Sequence, residues 1–163
     1  MGDTSLLVQV NDIIKKYNGS NERLIQILLD LQKASGQNYL PEECIIEISK
    51  KLDMPVAKVY EVATFYSMFN QSPKGKYVIE VCKSAPCHVR GSKNVAKMFE
   101  EALGIKMGET TSDNIFTLQY SNCFGACDIS PAVKIAEKVY GNLTVEKIKE
   151  LINMYRGNNS WQK

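Results

Sequence analysis

The chain is poor in several things that would define a function. Among 163 residues there is one histidine, His88, and one tryptophan. No Gly-x-Gly pattern, no Walker lysine and no dinucleotide fingerprint occurs, so the chain is not expected to bind NAD or flavin by itself. No run reaches the eighteen or so apolar residues of a membrane span. The opening Met1-Gly-Asp-Thr-Ser reads as neither signal peptide nor transit peptide. Charge of one sign is also scarce. Twenty basic residues against eighteen acidic ones leave a formal +2, with no long basic face for nucleic acid and no acidic tail. Internal repeats and low-complexity segments are absent. The expectation is a bacterial cytoplasmic protein without nucleic-acid partners and without direct membrane insertion.

The 44% hydrophobic content is enough for one core and a smaller appendage. Apolar positions in the first third recur at helical spacing. Leu6, Leu7, Val10, Ile13, Ile14 and Tyr17 share a face. Asn18-Gly19-Ser20 then breaks the pattern, and Ser20 is a plausible N-cap. Leu24, Ile25, Leu28 and Leu31 line a second helix that Gly36 closes. Pro41 opens a third helix, with Glu42 and Glu43 in its first turn, Lys50 and Lys51 in its last, and Cys44, Ile45, Ile48 and Leu52 facing inward. Pro55 starts a fourth helix with Val56, Val59, Tyr60 and Ala63 inward, and the aromatic stretch Phe65, Tyr66 and Phe69 is expected to be mostly core. The fold class read from this pattern is α+β or α/β. A four-helix bundle over 1–72 precedes a second domain over 73–163, with a linker at Asn70–Gly75 where the period changes from helical to alternating.

In the second domain Tyr77, Ile79 and Val81 alternate along a strand that ends at Cys82. Ser92 caps a helix carrying Val95, Met98, Phe99 and Leu103, and Gly104 ends it. Ile115 to Tyr120 reads as a second strand, with Phe116, Leu118 and Tyr120 on one side and Cys123 close behind. A short strand at Ala132 to Ala136, a further segment near Val139 and Tyr140, and a last helix with Thr144 as N-cap complete the chain. That helix carries Val145, Ile148, Leu151, Ile152 and Tyr155. A helical crossover joins parallel strands, whose C-terminal ends then lie at one sheet edge, where ligands collect. The two cysteine loops are therefore expected to meet.

Four of the five cysteines form two tight pairs, Cys82-Lys-Ser-Ala-Pro-Cys87 and Cys123-Phe-Gly-Ala-Cys127. In a reducing compartment such spacing points to metal or catalysis rather than disulfides. Two loops giving two thiolates each can hold the two irons of a [2Fe-2S] cluster. Structural zinc tolerates the same spacings and stays open as a zinc-stabilised interaction module without a redox role. A dithiol reductase is a third reading, weakened by the absence of Cys-x-x-Cys. A Rieske centre needs two histidines and is excluded by count. Gly125 and Ala126 leave room for close backbone approach. Residues 73–163 carry thirteen basic against nine acidic side chains, a surplus that a reduced cluster would offset, though Lys83, Arg90 and Lys93 taken singly read as ordinary solvated cations. Cys44 reads as packing, and His88, beside a ligand thiol, is not assigned a catalytic role.

Leu40-Pro-Glu-Glu, Val56-Ala-Lys-Val-Tyr-Glu-Val-Ala-Thr-Phe-Tyr-Ser-Met-Phe69, Cys82-x4-Cys87-His-Val-Arg-Gly91 and Asn122-Cys-Phe-Gly-Ala-Cys127-Asp-Ile-Ser-Pro131 together resemble the thioredoxin-like [2Fe-2S] ferredoxin family. Its members include subunits of NADH-quinone oxidoreductases, NAD(P)-linked hydrogenases and formate dehydrogenases. The resemblance covers nearly the whole chain, and the Cys87-His-Val-Arg-Gly form is most similar to hydrogenase-associated members, a setting in which electron bifurcation also occurs. It implies a thioredoxin-like domain with a small mixed sheet and flanking helices, and a [2Fe-2S] cluster on Cys82, Cys87, Cys123 and Cys127. It further implies a partner subunit carrying FMN and binding NAD(P)H, further iron-sulfur or hydrogenase and dehydrogenase subunits, a place at the periphery of a membrane complex, and no catalytic activity in the isolated chain. Asn114, where the family often has Gly, and Phe124, where Leu is common, depart from the pattern without touching a ligand.

Overall fold

The computed structural model describes residues 4–157 and divides into two compact units between Lys74 and Gly75. Among the described residues no helix is long and apolar enough to cross a membrane.

The first unit holds four helices. α1 (Thr4–Lys16) buries Val10 and Ile14. After the Asn18-Gly19 reversal, Ser20 precedes a 3-10 turn (Asn21–Arg23) rather than the helix itself, and α2 (Leu24–Ala34) follows. Ile27 joins Leu24, Leu28 and Leu31 in its buried stripe, and left-handed Gly36 (φ 70°) reverses the chain just beyond its end. α3 (Glu42–Lys51) starts behind Pro41 and buries Cys44, Ile45 and Ile48. Its terminal charges match the helix dipole.

In α4 (Val56–Phe65) only Val59 and Ala63 are buried; Val56 and Tyr60, expected inside, are exposed. The helix packs through its narrow Val59–Ala63 stripe, and residues flanking that stripe stay at the surface of the unit. Phe65 is likewise exposed, whereas Phe69 is buried and Tyr66 packs edge-on against it. Gln32 anchors this exit: its amide donates to the Met68 carbonyl (2.9 Å) and its oxygen accepts the Asn70 N–H (2.7 Å). That arrangement satisfies a polar side chain inside an apolar core.

The second unit is a four-stranded mixed sheet of order β2-β1-β3-β4, with helices packed on it. Its strands are β1 (Tyr77–Cys82), β2 (Phe116–Ser121), β3 (Val133–Ile135) and β4 (Lys138–Tyr140). β1 and β2 run parallel in the register Tyr77 opposite Phe116 through Cys82 opposite Ser121, while β3 is antiparallel to both β1 and β4. Between β1 and β2 come a five-residue helix, α5 (Ala85–Val89), and the crossover helix α6 (Ser92–Leu103); α7 (Val145–Gly157) ends the unit.

Ile79, Val81, Phe99, Phe116, Leu118, Val133, Ile135 and Ile148 make the core. Left-handed Gly91, not Ser92, occupies the cap position of α6, and Ser92 is its buried first residue. Thr144 does cap α7, accepting the Lys147 N–H at 3.3 Å. Tyr120 and Val145, expected inside, are exposed. Tyr120 lies beyond Leu118, the last fully covered residue of β2, and Val145 sits on the first turn of α7. The mixed sheet with flanking helices agrees with the fold class expected from the sequence.

Candidate metal centre

Cys82 is the last residue of β1 and Cys123 lies two residues beyond β2, so the parallel register delivers both to one sheet edge. The edge is stitched by backbone hydrogen bonds from Lys83 N–H to the Ser121 carbonyl (3.1 Å) and from Cys82 N–H to the Ala132 carbonyl (3.2 Å). Cys87 comes from α5, a helix absent from the sequence expectation. Its signal is Ser84-Ala-Pro86, a residue type favoured at the N-cap followed by a first-turn proline. The helix turns Cys87 back toward Cys82, and together with Ala132 the two thiols form a small apolar core against which Phe124, Ala126 and Ile129 pack.

All four predicted site residues are thus brought into one place, in unlike environments. Cys82 and Cys87 are buried, Cys127 is half-buried and Cys123 is exposed. The Cys123 and Cys127 sulfurs stand 3.8 Å apart. Two thiolates bound to one tetrahedral metal at about 2.3 Å have sulfurs about 3.8 Å apart, so this pair already has the separation that a shared metal requires. Left-handed Gly125 (φ 88°) aims its N–H at Cys123 Sγ, 3.4 Å away. Only glycine takes that backbone conformation without strain, which explains its place between the cysteines.

The ionisation of these thiols reports the same convergence. The Gly125 N–H, and then the Cys127 thiol, hold Cys123 below the usual thiol range, with Cys82 and Ser84 contributing. Burial pushes Cys87 up, opposed by a backbone hydrogen bond from Ala132 and reinforced by Cys82 and Cys123. Cys127 is raised by its hydrogen bond and charge interaction with Cys123, then by burial, Cys87 and Cys82. Cys87, Cys123 and Cys127 each interact with a member of the other pair, so ionising one thiol disfavours ionising the next, a cost that a cationic metal relieves. Among the described residues, no group of three or more His, Cys, Asp or Glu converges as a site for a single metal ion. The Cys123–Cys127 pair has the sulfur separation of a shared metal, and Cys82 and Cys87 are buried beside Ala132.

Cys44 takes no part. It is in the first unit's core, where burial, aided by the carboxylates of Glu43 and Glu47, pushes its thiol up to about 11. His88 is exposed on α5. Arg90, which sequence reasoning left among solvated cations, instead reaches the second cysteine loop. No spacing rule reveals such a contact, because its partners lie 37 and 40 residues away.

Residues 10–156 match the family model described as thioredoxin-like [2Fe-2S] ferredoxin. The chain is 45% identical over 154 residues to the E subunit of NADH-quinone oxidoreductase from Rickettsia felis, covering 94% of this chain and 92% of that protein. It is 45% identical over 145 residues to the protein of the same name from Rickettsia typhi, covering 88% and 85%. Among solved structures, an NAD+-reducing [NiFe]-hydrogenase in the air-oxidised state superposes with a TM-score of 0.67 at 23% identity, over 82% of this chain and 24% of that one. The chain therefore spans about a quarter of that hydrogenase chain, and the likeness is one of fold.

Proposed function

The chain belongs to the thioredoxin-like [2Fe-2S] ferredoxin family, and from that premise we propose that it is the electron-transfer subunit of an NAD(P)H-dependent oxidoreductase complex, with Cys82 and Cys87 holding one iron and Cys123 and Cys127 the other. The observation that carries this reading is the meeting of two thiol pairs at one sheet edge, one of them already at the sulfur separation of a shared tetrahedral metal. Four thiolates supplied by two loops are the donor set of a [2Fe-2S] cluster.

When bound, the cluster supplies one-electron transfer. The protein supplies asymmetry. Cys82 and Cys87 sit in an apolar pocket that excludes water, while Cys123, which accepts the Gly125 N–H, is exposed. Burial on one side and a backbone donor on the other are the features that set the potential of such a site. The exposed Cys123 edge is where a partner's redox group comes within transfer distance. That partner is a flavin-bearing subunit that handles NAD(P)H, in keeping with the names of the NADH-quinone oxidoreductase relatives. FMN and nucleotide belong to the partner, and the complex carries further iron-sulfur or dehydrogenase subunits. A position at the periphery of a membrane complex belongs to the same reading, and is compatible with the described residues, among which no helix is long and apolar enough to cross a membrane.

The test is stepwise reduction under anaerobic conditions. Dithionite is expected to give the isolated chain a one-electron paramagnetic signal. NADH alone is expected to leave it oxidised, and NADH with the flavoprotein subunit to reduce it. A colourless zinc-containing chain, or one reduced directly by NADH, would contradict the reading.

A further inference from the structure

Arg90 caps α5, its backbone N–H donating to the Pro86 carbonyl at 3.2 Å, and its side chain then leaves the first cysteine loop. Nη1 donates to Ser130 Oγ at 2.9 Å and to the Cys127 carbonyl oxygen at 3.3 Å. Ser130 Oγ donates to that same carbonyl at 2.6 Å. Guanidinium, hydroxyl and carbonyl close a three-membered ring of contacts that joins the helix bearing Cys87 to the residue bearing the thiol of Cys127. Ser130 is buried and Arg90 is at the surface, so the strap runs from solvent into the loop.

We propose that Arg90 is a positioning residue for the diiron site: it straps the Cys123–Cys127 loop to the Cys87 helix and places a fixed positive charge beside the second thiol pair. The proposal rests on the diiron reading above. The loop needs such a brace because Cys123 and Gly125 are exposed and no residue from Cys123 to Cys127 is fully buried, and an exposed loop is ordered only where contacts outweigh its entropy. Hydrogen bonds from a charged donor are among the stronger ones available. Reduction adds negative charge to the site, so a nearby guanidinium favours the reduced form. Both bonds come from Nη1, which lies one bond further along the side chain than a lysine Nζ, so an ammonium keeps that charge while falling short of the two oxygens.

Loaded wild-type chain and four variants are to be compared by chelator-driven iron release and by redox titration. Arg90→Gln is expected to release iron about tenfold faster, equivalent to roughly 1.4 kcal/mol, and to titrate at a lower potential. Arg90→Lys should release iron faster while keeping a potential near that of the wild type. Ser130→Ala, which removes the strap's anchor without touching the charge, should release faster at wild-type potential and serves if Arg90→Gln folds poorly. Lys93→Gln, at a neighbouring exposed cation, should change neither. Release from Arg90→Gln at the wild-type rate, or equal potential shifts in the Gln and Lys variants, overturns the proposal. A wild-type chain that takes up neither iron nor sulfide overturns instead the diiron reading beneath it.

Discussion

Replacing Cys44 with alanine separates a packing thiol from a ligand thiol, and its effect should depend on pH in a defined direction. Cys44 is 2% exposed within the core of the first unit. Removing its sulfur forfeits burial of about one heavy group and leaves a small void, a loss of about 1–2 kcal/mol at neutral pH. In a unit of this size each kcal/mol lowers the melting midpoint by about 4–8 °C. The folded thiol ionises near 11 rather than 9.0, with burial as the main cause.

Because the folded pKa is raised, the neutral thiol's contribution is complete below pH 9, where both states hold the proton. It is lost as pH climbs toward 11, because the unfolded chain ionises first. The slope is at most about 1.4 kcal/mol per pH unit, and the whole loss over the two units is on the order of 3 kcal/mol. Urea unfolding of the two proteins, followed by far-ultraviolet circular dichroism, should therefore show a stability gap near pH 8 that has closed at about pH 10.5. The visible spectrum of the Cys44→Ala protein should match the wild type throughout. A gap independent of pH would refute the burial argument, and a colourless variant would refute the exclusion of Cys44 from the metal centre.

Gly125→Ala meets no neighbour, since the space around its Cβ is open, so its cost is backbone strain at φ 88° of about 1–2 kcal/mol; as the loop relaxes, the Gly125 N–H leaves Cys123 and the pH midpoint of Cys123 alkylation in metal-free protein should rise. Gly141→Ala drives a methyl group into the Ile129 carbonyl oxygen and to 2.6 Å from Ile129 Cβ, a collision with backbone that should cost about 1–3 kcal/mol or more and loosen the 127–131 loop, measurable as a lower melting midpoint and faster iron release than in wild type.

The sequence carried most of the architecture because its signals are strong and local: helical stripes punctuated by Gly19, Pro41 and Pro55, then alternation ending at Cys82. The parallel pairing of β1 and β2, and with it the meeting of Cys82 with Cys123, follows from the helix between them. What escaped is tertiary. Val56 is as apolar as Val59 and Tyr60 shares its helical spacing, and only the narrowness of the packed stripe puts them outside. Tyr120 continues the alternation of Phe116 and Leu118 past the point where helices cover the sheet. α5 hides in a six-residue cysteine spacing, legible only through Ser84 and Pro86. Arg90 lies three residues after one thiol yet bonds to the carbonyl of another 37 positions on, a contact that no local pattern encodes.

The most direct test is metal and sulfide analysis of the oxygen-protected chain alongside single serine variants of Cys82, Cys123 and Cys44. About two irons and two acid-labile sulfides per chain are expected in the wild type and in Cys44→Ser, with both depleted in Cys82→Ser and Cys123→Ser. One zinc per chain without sulfide, or iron retained in Cys123→Ser and lost in Cys44→Ser, would contradict the assignment.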